Sequence, residues 1–154
     1  MIKDTDLLIL SRLRKNAREK LTDLSKKTNI PVSTIFDKMK VHQEHFIKKH
    51  TTLLDFSMLG FHSRANILIK ASREEKEFLK DFLLKNQHVN SMFKVNNGFD
   101  FMIEGVFRDI RELEAFMDVL ELKFKVLNKQ VYYIIDEMKR EEFLTDPESL
   151  DSET

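Results

Sequence analysis

The sequence predicts an α+β chain in two parts: three short helices, then a β-α-β-β-α-β module. Three observations predict it. Apolar residues recur at helical spacing through about residue 43, interrupted by an Asn-Ile-Pro turn at 29–31. From residue 64 short alternating runs and amphipathic helices take turns. Charge divides at nearly the same place. Residues 1–50 hold 12 Lys+Arg against 6 Asp+Glu, a surplus of +6, and residues 51–154 hold 14 against 20, a deficit of −6. A basic front half is drawn to phosphate while an acidic back half stays solvated.

Composition sets the outer bounds. A chain of 154 residues suffices for one ordinary domain or two small ones, and 42% hydrophobic content supports a core. Thirteen Phe and no Trp predict a phenylalanine-rich interior. With no Cys, disulfides, Cys-ligated zinc and thiol catalysis are excluded. The opening MIKDTDLL begins no apolar run long enough for a signal peptide or membrane span, so a cytoplasmic protein without a membrane partner is expected.

The first helix is expected over 4–15, capped by Asp4 or Thr5, with Leu7, Ile9, Leu10 and Leu13 along one stripe. A second is expected over 19–28, with Leu21 and Leu24 inward and Lys26 and Lys27 near its end. Asn29 suits the left-handed residue that closes it, and Pro31 can open the next helix but not extend this one. The third helix is expected over 31–43, with Ile35 and Met39 on its inner face. Two helices around so tight a turn outline a helix-turn-helix, whose second helix can enter the DNA major groove.

That assigns Ser33, Thr34, Phe36, Asp37, Lys38 and Lys40 to a DNA-facing set. Lys38 and Lys40 suit phosphate. Ser33 and Thr34 suit phosphate at the helix tip or base edges, and Asp37 suits cytosine or repels the backbone. Packing under the first helix is the favoured expectation for Phe36, with contact to thymine methyls as the alternative. His42, His45 and His50 cluster in sequence, but histidines facing solvent or backbone at a helix end are expected rather than a zinc site, and no metal or cofactor is assigned.

Residues 46–56 mix β-branched residues with alternation and read as an extended connector strand, ended by Leu59-Gly60-Phe61. ANILIKA then reads as a strand. SREEKEFLKDFLLKN reads as a helix capped by Ser72 and Glu75, with Phe78, Leu79, Phe82 and Leu83 inward. In VNSMFKV, Val89, Ser91, Phe93 and Val95 share one face, and Asn97-Gly98 signals a two-residue hairpin into FMIEGVF. Ile110, Leu113, Phe116, Met117 and Leu120 mark a last helix, and KQVYYIIDEM a last strand in which Val131, Tyr133 and Ile135 share a face. The order is that of a ferredoxin-like unit, whose uncovered sheet face is expected to carry bulky apolar residues for a partner. TDPESLDSET reads as disordered. The expected divisions are a helix-turn-helix domain at 1–46, an extended linker strand at 47–63, the ferredoxin-like domain at 64–142 and an acidic disordered tail at 143–154.

The order and spacing of these pieces resemble the Lrp/AsnC (feast/famine) regulators. The pieces are DLLILSRLRKNAR, LTDLSKKTNIPVSTIFDKMK, the Leu54-Asp55 and Leu59-Gly60-Phe61 pairs of the connector, and the Gly-aromatic-Asp hairpin in VNNGFDFMIEGVF. The match covers roughly residues 3–142, and the wording of IPVSTIFDKMK resembles archaeal members. The resemblance implies a winged helix-turn-helix with a ferredoxin-like RAM-type domain. It also implies a non-enzymatic transcriptional regulator whose partners are double-stranded DNA, a homodimer or a tetramer or octamer, and a small-molecule effector such as an amino acid. Asn96, Gly98, Phe99 and Asp100 would lie near the effector, Asp100 meeting its ammonium group or else satisfied by nearby backbone. Two departures stand out. Many members carry arginine where Phe36 and Asp37 stand, and the usual Thr-Gly of the hairpin is Asn97-Gly98. Siroheme decarboxylases resemble the same layout and are the enzymatic alternative, although Met92-Phe93-Lys94 stands where their His-Asn-Tyr type motif is expected. A non-DNA oligomeric scaffold is the other alternative.

Overall fold

In the computed structural model, residues 2–150 are described, and they form two compact units, residues 2–53 with 138–150 and residues 54–137. The first holds α1 (Asp4–Lys15), α2 (Leu21–Thr28) and α3 (Val32–His45). Its interior is small: Ile9, Leu13, Leu24 and Ile35 are buried, with Leu21, Ile30 and Met39 packed around them. Asn29 takes the left-handed conformation, φ 56°, and the Ser25 hydroxyl donates to the Ile30 carbonyl at 2.6 Å, so the turn between α2 and α3 is closed from both sides. Pro31 stands just before α3, which runs two residues further than expected. Asp4 and Thr5 do not cap α1. The preceding residue is Lys3, whose backbone N–H donates to the Asp6 carboxylate at 2.9 Å.

Among the described residues this unit contains no strand, so its helix-turn-helix stands without a β-wing. The connector also differs from the extended strand expected at 47–63. Residues 47–55 pair with nothing in the sheet, and a 3-10 turn at Ser57–Leu59 follows. Alternation alone cannot make a strand where no neighbour supplies hydrogen bonds. The tail expected to be disordered from 143 is described as far as Leu150, and residues 151–154 lie outside the described residues. Arg14 donates to the Phe143 carbonyl at 3.0 Å and pairs with Glu141 at 3.1 Å, and a short 3-10 turn covers Pro147–Leu150. The acidic composition of this segment is met by an arginine that composition cannot locate.

The second unit is β1 (Ser63–Ala71), α4 (Lys76–Lys85), β2 (Val89–Lys94), β3 (Phe101–Phe107), α5 (Ile110–Lys123) and β4 (Val126–Tyr133). The sheet is antiparallel throughout, in the order β2-β3-β1-β4, the arrangement that βαββαβ predicts. β1 and β3 alternate strictly between buried and half-buried positions. Ala65, Ile67 and Ile69 pair with Gly105, Ile103 and Phe101, and together they meet Leu79 and Leu83 of α4 and Leu113, Phe116, Met117 and Leu120 of α5. Gly105 is needed for packing: a Cβ there would stand 2.5 Å from the Phe107 ring, which lies over it and stacks on His88 with centroids 4.9 Å apart.

Several expected positions move. α4 starts at Lys76 and not after Ser72, because residues 73–75 form a turn and the Glu75 carboxylate accepts from the Lys125 N–H. Phe78 and Ile110 point outward. A bulge between Val89 and Ser91 puts Val89 against the core and leaves Ser91 and Phe93 on the other face. β4 ends at Tyr133, and Ile135 is fully outside it. The open face carries a row of Phe93, Met102 and Leu68 across three strands, beside a polar group in which Arg64 pairs with Glu104.

Candidate nucleic-acid interface

α3 shows two faces of opposite character. Ile35, Met39 and His42 recur at i, i+4 and i+7 on the inner one. Ser33, Thr34, Phe36, Asp37 and Lys40 are exposed on the outer one, with Ser33 and Thr34 in the first turn. Their side chains are therefore free to meet a groove, and the first turn also presents backbone N–H groups that an α-helix leaves without internal partners.

Lys38 is not part of that exposed set. Its Nζ lies 2.9 Å from Asp6 Oδ1, and the ion pair is half-buried. His42 Nε2 donates to the same oxygen at 2.9 Å, and the His42 side chain is completely buried. Asp6 thus ties the start of α1 to two successive turns of α3. The hydrogen bond from His42, then that from Lys38, then the Lys3 N–H hold the Asp6 carboxyl far below the ordinary carboxylate range, against the opposing effect of burial. His42 accordingly differs from the solvent- or backbone-facing residue expected at a helix end. The signal was present in sequence, since His42 continues the Ile35–Met39 stripe, but an imidazole on an apolar stripe does not announce its carboxylate.

Phe36 also departs from the favoured expectation. It is half exposed and outside the core, and Lys40 Nζ sits 4.5 Å from its ring centroid. This cation–π contact positions the ammonium over an aromatic platform at the surface. Further exposed cations of the same unit, missed in the sequence assignment, are Arg18 and Lys20 before α2 and Lys48 and Lys49 after α3. Among the described residues no group of three or more His, Asp or Glu is placed to hold a metal ion, and no helix is long and apolar enough to cross a membrane.

The hairpin of the second unit forms as its Asn-Gly pair predicts. Asn97 and Gly98 take φ 63° and 86°, and the Val95 N–H donates to the Asp100 carbonyl at 3.1 Å. Asn96 and Gly98 are exposed, and Phe99 is half-buried. The Asp100 carboxylate is already engaged, accepting from the Ala71 N–H at 3.0 Å and pairing with Lys76 at 3.0 Å. Burial acts to raise its pKa, and the Lys76 and Ala71 contacts outweigh that and hold it below the ordinary range. Asp100 therefore fastens the hairpin to the end of β1 and to α4, a different neighbourhood from its own loop.

Comparison with known proteins bears on both units. Residues 2–40 match the family model for winged helix-turn-helix DNA-binding domains. An HTH-type transcriptional regulator of Pyrococcus furiosus is 30% identical over 120 residues, which is 75% of this chain and 77% of that protein. The HTH-type transcriptional regulator FL11 of Pyrococcus abyssi is 25% identical over 76% of this chain and 78% of its own length. The fold is shared with a Neisseria meningitidis transcriptional regulator solved with L-Met (TM-score 0.84, 20% identity, 91% of this chain and 94% of that one). It is shared also with AsnC of Escherichia coli (TM-score 0.80, 17% identity, 91% and 96%). With a helix-turn-helix whose outer face is exposed and a relative 30% identical over three quarters of both chains, the chain belongs to the HTH-type transcriptional regulators, a DNA-binding regulator with the fold of AsnC.

Proposed function

We propose that the chain is a sequence-specific regulator that acts as a two-fold dimer in the cytoplasm and carries no catalytic activity. In this reading α3 enters the major groove by its first turn. Ser33 and Thr34 approach base edges or phosphate, Lys40 supplies charge from its seat on Phe36, and Asp37 discriminates against most bases while accepting from cytosine. Lys38 stands apart from the contacting set and holds α3 in place through Asp6. The observation that carries the reading is the exposed outer face of α3 set against an inner face pinned to Asp6. A recognition helix must be rigid to read a sequence, and the contacts of Lys38 and His42 to Asp6, each 2.9 Å, fix its rotation.

The apolar row Phe93–Met102–Leu68 supports dimerisation through the open sheet face, and two-fold symmetry predicts a palindromic site. A small-molecule effector, such as an amino acid, would act by binding one assembly more tightly than another. The L-Met complex of the Neisseria regulator supports that class of ligand. Selection of genomic fragments on the full chain, together with sedimentation of the free protein, tests the reading. Enrichment of a two-fold motif by a dimer or larger assembly is expected. Retention without any motif, or a monomer at all concentrations, contradicts it.

A further inference from the structure

We propose that the sheet unit binds a small organic carboxylate with an apolar body, in a cavity beneath residues 56–61 and away from the hairpin. The cavity, a cleft open to solvent on one side, has a volume of about 440 Å³, within the roughly 300–1,000 Å³ usual for small-molecule sites. Its construction is specific. Asp55 Oδ1 accepts from the Ser57 N–H at 3.1 Å, the Ser57 hydroxyl at 2.6 Å and the Met58 N–H at 3.3 Å, which starts a tight turn. Gly60 closes it at φ 91°, and the Phe61 N–H returns to the Phe56 carbonyl at 3.0 Å. Phe56 and Phe61 of the turn line the cavity together with Val89 and Val106, and the Arg64 guanidinium lies 5.5 Å from the Phe56 ring centroid. The His62 N–H donates to the Arg108 carbonyl at 3.1 Å and fastens the turn to the end of β3. The β-bulge at Val89–Ser91 lies on the cavity's margin, a place where such irregularities often re-aim side chains at a site.

The charges select an anion. Glu112 lines the cavity but is occupied: one oxygen accepts the Arg108 N–H at 2.9 Å and the other lies 3.3 Å from His88 Nε2. The Asn90 amide is committed to Glu104 at 2.7 Å. Arg108 also lines the cavity, and among the described residues its guanidinium has no acceptor. A planar five-donor fork lining a cavity beside two phenylalanines and two valines matches a carboxylate with an apolar body in charge and shape. A single arginine with aromatic walls suits a singly charged acid with a hydrocarbon body better than a phosphate, which draws a cluster of donors.

The proposal deepens the effector part of the proposed function and depends on it only for a consequence at DNA. Binding is therefore measured on the free full-length protein. Phenylacetate is titrated by calorimetry beside benzyl alcohol and inorganic phosphate, with amide chemical shifts reporting the site. Phenylacetate is expected to bind at roughly millimolar strength and to shift residues 56–61 and 87–90. R108Q, whose exposed guanidinium contributes nothing to the core, is expected to weaken phenylacetate roughly tenfold or more while leaving benzyl alcohol unchanged. D100N, at the hairpin, should leave both unchanged. Equal phenylacetate affinity in wild type and R108Q, shifts centred on 96–100, preference for phosphate, or no phenylacetate binding would each overturn the proposal. DNA retention measured without ligand separates any of these results from a failure of the regulator reading.

Discussion

The helical unit and the sheet unit hold themselves together differently. Thirteen buried apolar residues pack the sheet against α4 and α5, and the ion pairs of that unit, Arg64–Glu104 and Lys76–Asp100, lie outside the cluster. Among the described residues of the helical unit the buried apolar set is four residues, joined by a fully buried histidine, an aspartate and a half-buried lysine. Burial of apolar area is non-directional, so it tolerates small rotations of an element. Hydrogen-bonded charges are directional and fix a helix about its own axis. The contrast teaches that the unit carrying the recognition helix is built for orientation, whereas the sheet unit is built for bulk stability and supports a turn and a cavity at its margin.

The largest expected effect exploits the size of the smaller core. L24A removes most of one of four interior side chains and should destabilise the helical unit by about 3–5 kcal/mol. Hydrogen exchange on the full chain should lose protection in α1–α3 while β1 and β3 stay protected. Equal loss across both units would show that they unfold as one and erase the contrast.

Next comes D6N, expected to cost about 2–3 kcal/mol at neutral pH by weakening the bonds to Lys38 and His42. The sign of its pH dependence follows from the lowered Asp6 pKa. A carboxyl held below its ordinary value of 3.8 contributes fully above that value, and the contribution is lost as pH falls toward the folded-state value. Denaturant melts should therefore show the gap between wild type and D6N closing progressively below about pH 5. A gap that is constant from pH 7 to acid would mean that Asp6 acts by packing alone.

A smaller effect is expected in the sheet. G105A places a methyl group against the Phe107 ring and should cost about 1–3 kcal/mol, read as a lower thermal midpoint for the sheet unit. The charge network of the helical unit should not respond, so the pH profile of its stability should match that of wild type. A changed profile would show that the two kinds of core are coupled.

What was legible in sequence follows the same division. Strict alternation in β1 and β3, the Asn97-Gly98 turn and the Leu113–Leu120 stripe are local patterns, and their elements formed where local pattern placed them. Local pattern is silent where a residue answers to a distant partner. Lys38 and Lys40 look alike two residues apart, yet one meets Asp6 across the core and the other lies on Phe36. Asp100, expected either to meet a ligand's ammonium group or to be satisfied by nearby backbone, accepts from the Ala71 N–H and pairs with Lys76. Phe36, an aromatic of the kind that usually packs inward, stands half exposed outside the α1–α2–α3 core and beneath the Lys40 ammonium. The cavity beneath Phe56 and Phe61 was illegible for the same reason, since Arg108 is nearly fifty residues further along the chain.

The most direct measurement is the salt dependence of DNA affinity for wild type, K40A and K38A on one selected fragment. A lysine at phosphate contributes about one unit to the slope of log affinity against log salt. K40A should weaken binding and flatten the slope by about that amount. K38A should lower the thermal midpoint of the helical unit and leave the slope of the folded fraction as in wild type. A flattened slope in K38A with none in K40A would reverse the assigned faces of α3, and absence of retention at low salt in the wild type would contradict the DNA-reading role of this helix altogether.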